Sequence, residues 1–202
     1  MIVILSGITG AGKSYLKKHI IERLQFKNIV IVTTRAKRIN EIDGIDKHFV
    51  TDEEFEGLKK SGKISLDFEF LGNKYGYLTE DLIFDENSIT ELHYSTIDDF
   101  KKIAKNVISI YIKPLNIEFA KQQLKLRKLP WKVEKERLKE IKEQVLEFEK
   151  NKKLKEKFDY IIYNDYTEKS LEEAIKLIQN LIDEQSLCLK EGWKKWKRNL
   201  QC

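Results

Sequence analysis

The sequence of 202 residues predicts an α/β protein of the P-loop NTPase type, in which a parallel sheet is flanked by helices. One reason is the alternation of short, β-branched apolar runs with longer stretches of helical periodicity. The other is an octet with the spacing of a Walker A phosphate-binding loop, which lies between the first apolar run and the first helical stretch. The octet reads Gly7-Ile8-Thr9-Gly10-Ala11-Gly12-Lys13-Ser14.

The flanks of this loop are those that the motif requires. Residues 1–5 are apolar and largely β-branched, as expected of a buried parallel strand, and residues 15–25 have the pattern of a helix. Glycines in such a turn allow successive backbone N–H groups to surround an anion at the positive end of the helix. Lys13 is expected to reach the β- and γ-phosphates, and Ser14 to hold Mg²⁺ through its hydroxyl.

A chance match in a glycine-containing turn is the alternative, but three of the 9 glycines of the chain lie in this octet. The chain is therefore predicted to bind a nucleoside triphosphate together with Mg²⁺. The residues predicted to bind it are Gly7, Thr9, Gly10, Ala11, Gly12, Lys13 and Ser14.

The other elements follow from the same patterns. Further strands are predicted at residues 28–33, 88–92, 107–112 and 160–163. A highly charged helical region covers residues 118–157 and is broken at Pro130, and an amphipathic helix covers 171–187.

Composition indicates one compact domain. The hydrophobic fraction of 41% is sufficient for a core. No stretch approaches the roughly 20 apolar residues of a membrane span, and a chain that begins directly with a strand leaves no room for a signal peptide. The expected location is the cytoplasm. Cys188 and Cys202 are too few for a disulfide framework and are expected to be free thiols.

Most of the net charge of +5 falls in the last segment, residues 186–202, where lysines and Arg198 alternate with Trp193 and Trp196. Such a tail can stack on nucleic-acid bases or lie on an anionic membrane surface. The simpler interpretation is a solvated terminal helix whose tryptophans pack on the body of the protein. The rest of the chain is nearly neutral, so nucleic acid is not expected as its partner.

A second motif begins at the end of the second predicted strand. Arg35 and Arg38 lie three residues apart, and two guanidinium groups so placed can converge on one phosphate. Downstream, Gly72-Asn73-Lys74-Tyr75-Gly76 is a turn that presents a phenol.

Together with the Walker A loop, these residues resemble the guanylate kinase family. Its Thr-Thr-Arg-x-x-Arg-x-x-Glu-x-x-Gly-x-Asp-x-x-Phe run is matched at Thr33, Thr34, Arg35, Arg38, Glu41, Gly44, Asp46 and Phe49, and its Gly-Asn-x-Tyr-Gly turn at 72–76. The resemblance implies transfer of a phosphoryl group from ATP to a nucleoside monophosphate, GMP + ATP to GDP + ADP.

The resemblance also implies roles for particular residues. The catalytic cations would be Lys13, Arg35, Arg38 and two arginines of a helical lid, Arg127 and Arg137. Asn164 would lie beside the adenine, and Glu91 would assist Ser14 in holding the metal. The acceptor would be bound by Arg35, Arg38, Lys47, Asp67, Tyr75, Tyr77 and His93.

The sequence departs from the family at the positions that read guanine. Ile31, Tyr77 and His93 stand where the family has polar or acidic side chains, and a fourth position falls on Leu66, or on Asp67 if the alignment slips by one. Such losses weaken the case for guanine, because a base-reading site discriminates through its paired polar groups. Two alternatives therefore stay open: a kinase of another nucleotide or phosphorylated small molecule, and a non-catalytic module that binds a phosphorylated ligand.

The predicted organisation is a guanylate-kinase-like domain at residues 1–185, followed by the basic aromatic tail at 186–202. Within the domain, the core would comprise residues 1–33, 86–117 and 158–185. The acceptor-binding insert would be 34–85 and the lid 118–157.

Overall fold

The computed structural model describes residues 1–39, 41–82 and 86–199, with backbone alone for 188–199. The strands are β1 (Ile2–Ser6), β2 (Lys27–Asn28), β3 (Ile31–Thr33), β4 (His48–Phe49), β5 (Ile64–Phe70), β6 (Asn73–Leu78), β7 (Ser88–Glu91), β8 (Val107–Pro114) and β9 (Tyr160–Asn164). The helices are α1 (Lys13–Leu24), α2 (Asp52–Lys60), α3 (Ile97–Ile103), α4 (Ile117–Lys125), α5 (Trp131–Lys150), α6 (Lys152–Lys155) and α7 (Glu168–Asn199).

The main sheet has five parallel strands in the order β2-β7-β1-β8-β9. Strand β1 is central and buried along its whole length, as its apolar sequence predicts. Its residue Leu5 lies opposite Glu91 on one side and Ile110 on the other. The carboxyl ends of these strands therefore meet at one edge, where open α/β sheets bind their ligands.

The two faces of β1 contribute to two hydrophobic layers. Val3 and Leu5 pack with residues of α1 and α7, whereas Ile2 and Ile4 pack with Phe100 of α3. This alternation is the period of a strand that is buried on both faces. Helices on both sides of the parallel sheet confirm the predicted fold class.

A second sheet of four strands, in the order β4-β3-β6-β5, corresponds to much of the predicted insert. Strands β5 and β6 form a hairpin whose two-residue loop, Leu71-Gly72, has positive φ angles of 50° and 70°. Residues 28–33 do not form the single strand that the sequence predicts. Asn28 pairs in the main sheet and Ile31 in the second one, because the chain crosses between the sheets at residues 29–30.

The charged helical region forms three helices, α4, α5 and α6, and Pro130 directly precedes α5. Helix α5 buries Ile141, Gln144 and Phe148. Phe148 stacks on Tyr111 of β8 with ring centroids 3.7 Å apart. The segment expected to be a lid therefore packs on the main sheet through one face.

Helix α7 continues past the predicted end at residue 187 to Asn199. The side chains of the basic aromatic tail and of both cysteines lie outside the described residues, so the two interpretations of the tail stay predictions. Within the described part of the chain, no helix has the length and apolar character needed to cross a membrane.

Candidate active site

A cavity of about 770 Å³ opens where the carboxyl edge of the main sheet faces the second sheet. The octet at residues 7–14 forms part of its wall, with Gly7, Thr9, Gly10, Ala11, Gly12, Lys13 and Ser14 all lining it. The other predicted residues that line it are Arg35, Arg38, Lys47, Tyr75, Glu91, His93, Arg127, Arg137 and Asn164. Most of the residues singled out in the sequence are thus brought together.

The loop needs its glycines for space as well as for conformation. Gly7 and Gly10 have φ angles of 140° and 82°, where L side chains are rarely found. A Cβ atom at Gly7 would lie 2.4 Å from the carbonyl oxygen of Ile112, and one at Gly10 would lie 2.4 Å from that of Ala120. Larger residues would push the loop off β8 and α4.

The loop ends at the amino terminus of α1, whose cap, Gly12, offers no side chain to the first-turn N–H groups. These donors and the helix dipole favour an anion at this point. The Lys13 ammonium group donates to the carbonyl oxygens of Gly7 and Ile8, both at 2.8 Å. Burial lowers the pKa of Lys13, and the carboxylate of Glu91 opposes this shift.

Two side chains at the carboxyl end of β9 bind carbonyl oxygens of the loop. The Asn164 amide donates to the carbonyl oxygen of Ala11 at 2.9 Å, and the Tyr166 hydroxyl donates to that of Gly10 at 2.7 Å. Tyr166 has a φ of 64°, an uncommon conformation for a non-glycine residue, and its N–H donates to Asn164 Oδ1. Tyr166 was not predicted as a site residue, because no sequence pattern indicates its backbone conformation.

The two acceptor-side arginines share a carboxylate that sequence reasoning did not place in the site. Arg35 donates through Nη2 to both Glu41 oxygens, at 2.7 and 2.9 Å, and the Arg38 N–H donates to Glu41 Oε2 at 2.9 Å. Phe49 lies against Arg35, with 5.5 Å from the guanidinium carbon to the ring centre. Glu41 and Phe49 both belong to the matched motif, and this membership could have identified them as site residues from the sequence.

Further cations approach from the connection between α4 and α5, which carries Arg127, and from α5, which carries Arg137. Burial, together with Arg35 and Arg127, lowers the pKa of Arg38 to about 10. Burial also lowers the pKa of Arg127, with Arg137 acting in the same direction. Arg137 donates to Glu140 Oε2 at 2.9 Å. Cations gathered in one partly desolvated cavity repel one another, so the arrangement favours a bound anion.

Glu91 is the carboxylate at the centre of this cluster. Burial would raise its pKa, but Lys17 at 3.7 Å, Lys13, Lys47 and the Ser14 hydroxyl lower it to about 2. The group is therefore ionised at neutral pH. Lys47 faces it, and burial lowers the pKa of that lysine to about 8.

Aromatic rings line the second-sheet side of the cavity. Tyr75 stacks on Phe68 with centroids 5.3 Å apart and planes at 12°. Phe70 contacts His93 at a centroid distance of 4.6 Å. Burial lowers the pKa of His93 to about 4, with Lys13 acting in the same direction, so its imidazole is neutral near pH 7.

Two residues predicted to bind the acceptor do not reach the cavity. Tyr77 is fully buried, and its hydroxyl donates to the carbonyl oxygen of Glu91 at 2.9 Å. Asp67 lies on the outer face of β5, where it pairs with Lys59 at 2.6 Å. Residues alternate across a strand, so Leu66, Phe68 and Phe70 take the inner face and Asp67 cannot.

The structure adds Glu140 and Gln144 of α5 to the cavity wall. Gln144 donates to Glu140 Oε1 at 2.9 Å and lies 3.3 Å from His93, measured between Gln144 Nε2 and His93 Nε2. Their spacing of four residues places both on one face of the helix, but that pattern alone does not distinguish them from the other charged pairs of α5.

Comparison with known proteins gives one consistent result. The family model described as guanylate kinase matches residues 1–185. A guanylate kinase of Mycoplasma mobile is 30% identical over 195 residues, covering 91% of this chain and 94% of its own. One from Wolbachia pipientis wMel is 28% identical, covering 88% and 89%.

Solved structures agree with this result. The crystal structure of guanylate kinase from Anaplasma phagocytophilum superposes with a TM-score of 0.66 at 25% identity, covering 92% of this chain and 85% of that one. Shikimate kinase from Bacteroides thetaiotaomicron, with a TM-score of 0.50 at 14% identity, shares the fold alone. From the family model, its relatives and the geometry of the site, the chain belongs to the guanylate kinase family, a family of nucleoside monophosphate kinases.

Proposed function

We propose that this protein transfers the γ-phosphoryl group of ATP to GMP and releases ADP and GDP. The observation that carries the proposal is the convergence of six cations on the cavity that contains the phosphate-binding loop. They come from three separate parts of the chain and are Lys13, Arg35, Arg38, Lys47, Arg127 and Arg137. A nucleophilic side chain is not required, because a phosphate oxygen of the acceptor attacks the γ-phosphorus directly.

On the donor side, the uncapped N–H groups at the start of α1 and the Lys13 ammonium group would bind the triphosphate. Asn164 and Tyr166 would keep the loop carbonyls of Ala11 and Gly10 turned outward through their hydrogen bonds. The N–H groups of the loop are then free to face the phosphates.

On the acceptor side, Arg35 and Arg38 would bind the monophosphate, with Glu41 fixing their positions and Lys47 and Tyr75 completing the compartment. Arg127 and Arg137 would stabilise the charge on the transferring group. Charge on the equatorial oxygens of a loose transition state is stabilised by such surrounding cations.

The residues beside the loop fit a magnesium ion. Mg²⁺ prefers oxygen ligands and takes one or two carboxylates together with substrate phosphates. Glu91 is ionised, and the Ser14 hydroxyl is close enough to it to lower its pKa, so these two side chains would hold the ion directly or through water. Bound there, Mg²⁺ neutralises phosphate charge. No group of three or more potential metal-ligating His, Cys, Asp or Glu residues occurs among the described residues.

The division of the chain follows from these roles. We propose residues 1–185 as the catalytic domain, with 34–85 as the acceptor-binding insert, 118–157 as the lid and 186–202 as an appended tail. A location in the cytoplasm stays a prediction.

The proposal is tested with the full chain, by coupling ADP formation to a spectrophotometric signal in the presence of Mg²⁺ and ATP. ADP formation is expected to depend on GMP, to saturate with both substrates and to stop when EDTA removes the metal. ADP formation at one rate with and without GMP would reject the proposal.

A further inference from the structure

Four rings of the cavity wall lie close together on the second-sheet side: Phe68, Phe70, Tyr75 and His93, which we call the ring wall. Phe68 and Phe70 share the inner face of β5, Tyr75 stacks on the first and His93 contacts the second. Aromatic faces of this kind bind a planar base by stacking, and such contacts differ little from one base to another.

The carboxylates near the ring wall are already paired with other side chains of the protein. Among the described residues that line the cavity, the only carboxylates are Glu91 and Glu140. Glu91 is engaged by Lys17 and the Ser14 hydroxyl, and Glu140 accepts hydrogen bonds from Arg137 and Gln144. Asp67, on β5, points away from the cavity to Lys59.

Gln144 and His93 supply neutral polar atoms at the ring wall, beside one cation, Arg137, whose guanidinium carbon lies 5.6 Å from the centre of the Phe70 ring and which is paired with Glu140. Gln144 is only 8% exposed, lines the cavity, and lies 3.3 Å from the Nε2 atom of His93. His93 Nδ1 lies 2.8 Å from the Ser95 hydroxyl oxygen. A neutral imidazole donates from one nitrogen and accepts at the other, so both contacts use it in its uncharged form.

Carboxylates and side-chain amides differ in which hydrogen-bonding edge of a purine they can bind. Guanine presents N–H donors at N1 and N2, and a carboxylate would accept from both, whereas adenine presents an acceptor at N1 and a donor at N6. The Gln144 amide nitrogen donates to Glu140 and faces His93, so its oxygen is the atom left for a base, and that oxygen can accept from N1–H and N2–H of guanine or from N6–H of adenine.

We propose that the ring wall accepts both 6-oxo and 6-amino purine nucleoside monophosphates, with the base held by stacking and its edge read by the amide of Gln144. This inference rests on the proposed phosphoryl transfer and specifies its acceptor class. Gln144 is then a specificity-determining residue that α5 contributes.

The experiment compares kcat/KM for GMP, IMP, AMP, CMP and UMP with the full chain at saturating ATP and Mg²⁺. The GMP-to-AMP ratio is expected to stay below about 100-fold, against the ~10⁴-fold of a site that pairs every polar group of one base. A wild-type ratio of 10⁴-fold or more would overturn the inference while leaving the proposed function intact. Failure of every nucleotide to accept a phosphoryl group would instead reject the proposed function.

Two variants separate the amide from the rest of the wall. Gln144→Glu offers an acceptor to both guanine donors and is expected to raise the GMP-to-AMP ratio about tenfold or more. Gln144→Leu is expected to lower kcat/KM for both purines to a similar extent while the KM for ATP stays unchanged. Glu143→Gln, on the exposed side of α5, is the matched control and should leave the ratio as it is. Unchanged ratios in Gln144→Glu, in a folded protein, would contradict the role of this residue, as would unchanged kcat/KM values in Gln144→Leu.

Discussion

Glu41 binds the guanidinium group of Arg35 through both of its carboxylate oxygens, at 2.7 and 2.9 Å from one nitrogen. The same carboxylate accepts the N–H of Arg38 at 2.9 Å, so one side chain fixes both arginines of the motif. Arg35, Arg38 and the neighbouring hydrogen bonds hold the pKa of Glu41 below its usual value although burial alone would raise it. The negative charge of Glu41 is therefore present throughout the neutral range.

Replacing this charge tests its positioning role. Glu41→Gln keeps the shape of the side chain but weakens the bonds to Arg35, so KM for GMP is expected to rise about tenfold, the loss of one charge-assisted hydrogen bond. Steady-state kinetics with each substrate varied in turn provide the measurement. Glu53→Gln, at an exposed position of α2, is the control. An equal rise in KM for ATP would contradict an acceptor-side role.

Arg38 is expected to act on the acceptor directly. Arg38→Met should lower kcat/KM for GMP by on the order of 10²-fold or more, because a guanidinium that binds phosphate also stabilises the transferring group. Titration should show ATP affinity little changed, and Lys37→Met, at an exposed neighbouring position, should behave as wild type. Loss of ATP binding with acceptor binding intact would mean that the arginine belongs to the other half of the site.

Tyr166 is predicted to support the ATP side through the Gly10 carbonyl. Tyr166→Phe removes one neutral hydrogen bond, so KM for ATP should rise by up to about tenfold while KM for GMP is unchanged. Tyr163→Phe, on the exposed side of β9, is the matched control. A uniform loss of thermal stability with unaltered KM values would show that Tyr166 is only structural.

His93 gives a pH dependence of stability. Its pKa is about 4 in the folded chain and about 6.5 in an unfolded one, so the unfolded state binds more protons between these values. The free energy of unfolding is therefore expected to fall as the pH is lowered from about 6.5 to about 4. Chemical denaturation at several pH values should show a shallower fall in His93→Gln. An identical slope in both proteins would contradict a half-buried histidine that is neutral in the folded chain.

Sequence reasoning predicts those parts of the site that are encoded by short contiguous motifs. The loop at residues 7–14 and the pair Arg35 and Arg38 are each contiguous, and both line the cavity. The sequence alone left open whether Leu66 or Asp67 lies on the inner face of β5. Only the pairing with β6 fixes the register of the strand, and it places Asp67 on the outer face. Gln144 meets His93 across 51 residues of chain, a contact that no local pattern encodes.

The crossing of the chain between the two sheets is a second case of this kind. Residues 29–33, which include the crossing, are all β-branched, so propensity predicts one strand over 28–33. Strand pairing overrides this propensity, because Asn28 pairs with Ile89 in the main sheet and Ile31 pairs with Tyr77 in the second sheet. Tertiary pairing also buries Tyr77 against Phe100 rather than in the cavity.

The most direct test of phosphoryl transfer to GMP follows the phosphorus atom itself. The full chain is incubated with Mg²⁺, GMP and ATP labelled with ³²P at the γ-position, and the nucleotides are separated by chromatography. Label is expected in GDP with the wild-type chain and not with Lys13→Ala, which removes the charge at the loop but no side chain of the hydrophobic core, so the circular dichroism spectrum should stay that of the wild type. Label released as inorganic phosphate at one rate with and without GMP, or equal labelling of GDP by Lys13→Ala, would contradict the account.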